Sequence, residues 1–276
     1  MKLQADRVEK PLRKLRKQVN GFASNPRPDD VHSLRTQTRR LEATVAALAL
    51  DREKESRRLL KLITPVRKAA GKVRDMDVLI GHVLTLSGEQ GSESVVRLLE
   101  ELASLRVKSA RKLERVVSGH NGEIRKRLKQ SSRLMRKRLK DDSAALDGDA
   151  APQILITELS HWLGLDEGNL HLFRIRIKEL RYMVQLNHQA DEKLLQALGE
   201  VKDEIGEWHD WVELAKIAGK VLDQRSDGDL LRRIAKTAED KLQIALAAAN
   251  RLRERYFAVP DGRMASRKLL QMAAGF

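Results

Sequence analysis

Apolar residues return at every third or fourth position along almost the whole chain, and no stretch alternates with period two for long enough to make a strand. That periodicity restricts the chain to an all-α fold. Composition agrees: aromatic residues are only 3%, while 41% of residues are hydrophobic and 34% charged, the profile of straight-chain helix formers. The spacing predicts helices at about 7–23, 31–50, 53–73, 75–87, 93–118, 120–140, 153–163, 170–188, 192–206, 210–224, 228–257 and 264–275. Pro65 marks an expected break. Stops are expected at Asn25-Pro26-Arg27-Pro28-Asp29-Asp30 and at Gly88, Gly119, Gly164 and Gly168.

A second constraint is an internal duplication. Residues 31–41, beginning Val31-His32-Ser33-Leu34-Arg35, align with 170–180, beginning Leu170-His171-Leu172-Phe173-Arg174, at an offset of 139. His, Arg and Leu fall in register, and Arg39 stands opposite Lys178. At an offset of 135, Arg58-Leu59-Leu60 pairs with Lys193-Leu194-Leu195, Val66-Arg67 with Val201-Lys202, and Gly71, Asp75 and Leu79 with Gly206, Asp210 and Leu214. Two copies of one helical unit follow, at 7–140 and 153–257, packed about an expected pseudo-twofold axis. The small, acidic segment 141–152 reads as their linker and 258–276 as a helical tail, all within one domain.

The formal charge of +15 selects polyanions as partners. It is unevenly spread. Residues 1–140 hold 35 Lys and Arg against 16 Asp and Glu, whereas 141–276 hold 19 against 23. Within Ser104–Lys140, 14 basic residues face only Glu114 and Glu123.

Several chemistries lack their residues. With no cysteine there is no disulfide, thiolate nucleophile or zinc-thiolate site. The start of the chain is polar, and no apolar run approaches the roughly 18 residues of a membrane span. A soluble, cytoplasmic protein is expected. No phosphate-binding glycine loop or Ser-His-Asp arrangement occurs. His209-Asp210 would need further His and Asp ligands on other helices, and its counterpart in the first copy is Arg74-Asp75, while Glu158-Leu159-Ser160-His161 is a single copy where di-iron bundles need two. Neither a metal nor a cofactor is expected. Nothing in the sequence sets an oligomeric state.

At 100° per residue, His32, Arg35 and Arg39 lie within about 60° of one another on one helix face, as do His171, Arg174, Lys178 and Arg181. Apolar stripes run beside both, so these basic groups are expected at the rim of the core. Like charges at such spacing repel, and two such clusters ask for a counter-anion. Arg offers phosphate a planar fork of donors, Lys a point charge, and His a titratable one.

These blocks resemble the CHAD family, the conserved-histidine α-helical domain. The matching motifs are His32-x-x-Arg35-x-x-x-Arg39-Arg40 and His171-x-x-Arg174-x-x-x-Lys178-x-x-Arg181, followed by turn-like Gly71-Lys72-Val73-Arg74-Asp75 and Gly206-Glu207-Trp208-His209-Asp210. The similarity covers about residues 7–257. It implies two helical bundles around a central basic groove that binds inorganic polyphosphate, with association to polyphosphate granules in some members. Carried over by position, the groove would be lined by His32, Arg35, Arg39, Arg40, His171, Arg174, Lys178 and Arg181. Arg58, Arg67, Lys193 and Lys202 are candidates from the next helix of each repeat. The copies differ at Glu42, opposite Arg181, and at Glu179, opposite Arg40.

Arg13 in the first helix, with Arg125, Lys129, Arg133, Arg136 and Lys137 in the helix expected at 120–140, forms a second basic patch. Its apolar stripe of Ile124, Leu128, Met135 and Leu139 is too thin for a deep core position. Three functions stay open: a non-catalytic polyphosphate-binding module, a nucleic-acid binder using the 104–140 arm, and an enzyme acting on phosphate chains.

Overall fold

The computed structural model describes residues 5–23, 25–86, 92–140, 144–162, 164–186 and 191–257. Among them, nine α-helices and one short π-helical turn follow in order, with no strand. They are α1 (Ala5–Asn20), α2 (Pro28–Ala47), α3 (Lys54–Leu86), α4 (Glu93–Ser118), α5 (Asn121–Lys140), α6 (Ala144–Ser160), α7 (Glu167–Val184), α8 (Glu192–Val221) and α9 (Gly228–Leu252), with the π turn at Arg253–Phe257. The fold is all-α.

Helix starts follow capping chemistry. Pro28 opens α2 with Asp29 and Asp30 in its first turn, where the free N–H groups and helix dipole favour negative charge. Asp166 and Asn169 form a reciprocal capping box at 3.0 and 3.1 Å, which starts α7 three residues ahead of its first apolar position. Asp191 accepts from the amides of Lys193 and Leu194 at the head of α8.

Two expected breaks are absent. α3 runs 33 residues straight through Pro65 and Gly71, and α8 runs 30 residues through Gly206. Proline removes one ladder hydrogen bond, yet Ile63, Val66, Ala69, Ala70 and Val73 around it are buried, and that packing outweighs the local cost. α6 begins at Ala144, so most of the segment read as a linker is helical, with Pro152 inside it. Gly119 caps α4 and Gly164 lies between helices as expected, whereas Gly168 falls in the first turn of α7. Gly88, residues 141–143 and the tail helix at 264–275 lie outside the described residues.

Three buried apolar clusters organise the helices. The first joins α1, α2, the front of α3, the end of α4 and α5. The second joins α6, α7, the front of α8, the end of α9 and the π turn. Both long helices then enter a third, shared cluster in which Leu79, Val83, Leu98 and Leu102 meet Trp211, Leu214, Leu230 and Ile234. At 1.5 Å per residue, α3 and α8 span roughly 50 and 45 Å, long enough to serve two cores each. Helices α2 and α7 pack on one another, as do α3 and α8. The order of contacts repeats: α1 on α2, α2 on α3 and α3 on α4 match α6 on α7, α7 on α8 and α8 on α9.

The thin apolar stripe of α5 is buried after all. Ile124, Leu128 and Met135 are 2% exposed or less, because α1 and α3 close over them. A narrow stripe suffices when two neighbouring helices straddle it. No described helix is long and apolar enough to cross a membrane.

Candidate polyanion-binding site

The two histidine-led faces are brought together by the packing of α2 on α7. Arg35 and Arg39 of α2 stand within electrostatic reach of Lys178, and Arg35 within reach of Arg174. The side chains go deeper than the rim of the core. Lys178 is only 7% exposed, and burial first, then Arg174, Arg39, Arg35 and Lys202, push its amine down to about 6. Burial likewise lowers the Arg39 and Arg174 guanidiniums from their usual range.

Arg174 reaches its place by crossing α8 at Gly206, and its Nε donates to the Lys202 carbonyl at 3.1 Å. A methyl group at Gly206 would stand 3.0 Å from Arg174 Cζ and nearer still to Nη2. In the other copy, Arg35 crosses α3 at Gly71, where a methyl group would meet Nε at 3.6 Å. The glycines read as turn residues are therefore packing residues. Each removes a side chain from the middle of a helix so that an arginine from its neighbour can lie across it.

Charge pairing inside this cluster differs from pairing elsewhere. Arg97 and Asp227, Arg106 and Asp77, and Arg136 and Glu9 are each ion-paired at 2.6 Å, and Arg127 bridges Glu55 and Glu123 at the same distance. Arg35, Arg39, Arg174, Lys178 and Arg181 have no ion-pair partner among the described residues. Arg39 Nε, Arg181 Nε and His171 Nδ1 are buried with no hydrogen-bond partner there. Asp75 and Asp210 lie within electrostatic reach of Arg174 without closing an ion pair on it, so burial of the guanidinium is only partly compensated. An anion with several acceptor oxygens would complete the compensation.

His32 is exposed beside Arg74, Arg35 and Lys202, and burial, then those cations, lower its pKa. His171 is lowered by burial, Lys178 and Arg174. Lys202 pairs with Asp203 at the edge of the cluster. Arg67 is held by Glu42 at 2.8 Å, so the departure at Glu42 neutralises a neighbouring cation. Arg40 lines a cavity of about 280 Å³ with Lys10, Tyr182 and Glu192. Arg58 and Lys193 are exposed and lie thirteen residues before Gly71 and Gly206 on α3 and α8, roughly 20 Å along each helix. Arg58 is instead paired with Glu55. Those two candidates are not part of the cluster.

The second patch is divided. Arg13 and Arg136 are paired with Asp6 and Glu9, while Arg125, Lys129, Arg133 and Lys137 stand exposed on α5 without an ion-pair partner among the described residues.

Sequence reasoning missed three groups. Asp75 and Asp210 line a cavity of about 300 Å³ with His209, Glu213 and Lys72, next to the cation cluster. Burial raises both carboxyls, Asp210 to about 6, against the pull of Arg174, Arg35 and Lys178. His209 packs its ring on His171 at 4.6 Å between centroids and is pushed down to about 4, by burial first. All three sit in the duplicated Gly-x-x-x-Asp block, the signal that could have found them. No described His, Asp or Glu side chains are grouped so as to hold a metal ion.

A family model described as the CHAD domain matches residues 6–219. The chain belongs to the CHAD domain family. The crystal structure of the CHAD domain from the plant Ricinus communis matches it with a TM-score of 0.65, covering 94% of this chain and 93% of that one at 14% identity. At that identity the likeness bears on fold alone. A comparison with curated proteins gave no match. In this CHAD domain the duplicated motif is thus a device for placing cations at one helix interface, each arginine passing a glycine of the next helix.

Proposed function

We propose that this CHAD domain binds inorganic polyphosphate along the α2–α7 interface and does not catalyse its conversion. The observation that supports it most is the cluster of Arg35, Arg39, Arg174 and Lys178, buried or half-buried and without ion-pair partners. From His32 to Arg39 is about 10 Å along α2, and from His171 to Arg181 about 15 Å along α7. A row of that length suits a chain of phosphates better than one phosphate. Counterion release would add affinity, as with other polyanions. The converging side chains Arg35, Arg39 and Arg174 are hydrogen-bond donors that cannot take up a proton from an attacking water, which favours binding over hydrolysis in this reading. Location with polyphosphate in the cytoplasm is part of the same proposal.

A competition at physiological salt tests this reading. Long-chain polyphosphate is expected to bind more tightly than single- or double-stranded DNA, and equal or tighter DNA binding would overturn it. Incubation with polyphosphate and magnesium is expected to release no phosphate. The exposed, unpaired cations of α5 favour nucleic acid as a second reading. If that reading held, replacing Arg125 and Arg133 would weaken DNA binding more than the α2–α7 variants do.

Two glycine variants separate the copies. Gly206→Ala displaces the Arg174 guanidinium and is expected to weaken polyphosphate binding about tenfold, the loss of one charge-assisted contact. Gly71→Ala meets only ordinary contact with Arg35. It should leave affinity unchanged and stabilise α3 by up to ~1 kcal/mol, seen as a higher urea midpoint.

A further inference from the structure

At the crossing where α3 and α8 pass from their own cores into the shared one, each copy places a carboxylate one helical turn after the glycine that admits its arginine. Asp75 follows Gly71 and Asp210 follows Gly206. Both line the same cavity of about 300 Å³, and each lies within electrostatic reach of Arg35, Arg174 and Lys178, with Asp75 also near Arg39. Neither carboxylate is ion-paired with any of these cations. Among the described residues Asp210 has only His209 as a neighbour at ion-pair distance, 4.0 Å between Oδ1 and Nδ1. Elsewhere the fold closes such pairs at 2.6 Å. Here it holds two negative charges beside a basic cluster without letting them neutralise any one member.

An unpaired carboxylate near a cation cluster repels any anion that approaches the same cations. For a small anion the whole interaction is made beside Asp75 and Asp210. A long chain also engages His32 and Arg181, which lie farther along α2 and α7 and are not among the cations coupled to Asp75 or Asp210, so those contacts are less opposed. Repulsion built into a site in this way lowers the affinity of one ligand class relative to another.

We infer, resting on the polyphosphate reading, that Asp75 and Asp210 are specificity residues: fixed competing anions that exclude orthophosphate and short phosphates and leave long chains as the ligand. Their own titration supports the inference. Burial holds Asp210 up at about 6 and raises Asp75, so the repulsion from Asp210 weakens as pH falls through about 6 and that from Asp75 is lost at a higher pH than for an ordinary carboxylate. The charged and titratable groups that face them are Arg35 and Arg39 from α2, Lys72 from α3, Arg174 and Lys178 from α7, and His209 and Glu213 from α8, while His32, Arg74, His171 and Lys202 stand around the same cations. α4 contributes Leu105 and Ser109 to the cavity lining. The histidines and Lys178 also gain positive charge on acidification, so the pH effect must be read as a difference between the protein and its Asn variants.

The experiment compares the full chain with Asp75→Asn/Asp210→Asn, by calorimetric titration with orthophosphate, tripolyphosphate and a long-chain polyphosphate at pH 7.5 and 5.5. At pH 7.5 the double variant is expected to bind tripolyphosphate about tenfold more tightly or better, since like charges at an interface cost several kcal/mol. Long-chain affinity should change by less than about threefold, so the preference for length shrinks. At pH 5.5, below the value of Asp210, the difference between the protein and the variant should shrink. Unchanged or weaker tripolyphosphate binding by a folded variant would overturn the inference, as would a uniform loss for every chain length, which would make the carboxylates supports for Arg35 and Arg174. If the unaltered protein binds no polyphosphate, the parent reading fails. The carboxylate role is then judged by whether the variant gains orthophosphate binding, and no gain rejects it too.

Discussion

Replacing Arg35 and Arg174 together by glutamine is expected to weaken polyphosphate binding by about a hundredfold or more, because each charge-assisted hydrogen bond to phosphate contributes roughly 1.5–3 kcal/mol. Glutamine keeps much of the volume, and both arginines are unpaired in the free protein, so the urea midpoint should hold or rise. The comparison variant replaces Arg133 and Lys137, two exposed cations of α5. Their loss should cost less than about fivefold at physiological salt, as expected for screened surface charges. Affinities measured over a range of salt add a second readout, since each phosphate contact removed lowers the salt slope by roughly one. The reverse ranking would move the principal site to α5.

Lys178 carries the second large effect, on stability. Its ordinary value is 10.5 and burial among arginines pushes it down to about 6. Between those values the unfolded chain holds the proton and the folded protein does not, so stability rises with pH by about 1.4 kcal/mol per unit. Below about 6 both states are protonated and the dependence from this group ends. His32, His171 and His209 are also lowered and act with the same sign, each in a window ending near 6.5. Asp210, raised to about 6 from 3.8, acts oppositely in its own window, where the folded protein keeps a proton that the unfolded chain has lost. Between about pH 4 and 6 the contributions of His209 and Asp210 offset one another, and above about 6.5 the Lys178 contribution stands alone, so a rise in stability is expected from about pH 6 to pH 9, measured by urea unfolding in a pH series. Lys178→Met should stabilise the free protein at pH 7 and flatten that rise. It should also weaken polyphosphate binding, which separates it from a simple core improvement. Binding near pH 7.5 should be accompanied by proton uptake, visible as a dependence of the calorimetric heat on buffer ionisation, and affinity should increase toward mildly acidic pH. A stability curve flat from pH 6 to 9 would contradict the burial of this amine.

Local sequence carried most of the helical architecture. α4 matches the expected 93–118 in both bounds, because Ser92 caps its start and Gly119 its end. α5 differs by one residue at its start. The errors cluster at Pro65, Gly71 and Gly206, residues with poor intrinsic helix propensity in the middle of long helices. Propensity is a local quantity of a few kcal/mol at most, and burial of α3 and α8 against two cores each exceeds it. The site was half visible. His32, Arg35, Arg39, His171, Arg174 and Lys178 were marked by their helical spacing and by duplication, whereas Arg58 and Lys193 shared the duplication but lie too far along their helices.

Periodicity and repetition, which are properties of neighbours in the chain, were enough to establish an all-helical domain, two related copies and the basic faces of α2 and α7. Three features depended on residues distant in sequence. Arg35 lies over Gly71 and Arg174 over Gly206 because α2 crosses α3 and α7 crosses α8; Lys178 is pushed down because packing buries it first of all, then sets it beside Arg174, Arg39 and Arg35; and Asp75 and Asp210 share one cavity because α3 packs on α8. Desolvation and charge coupling fall off over a few ångströms of space, so they appear only once packing has set which side chains are neighbours.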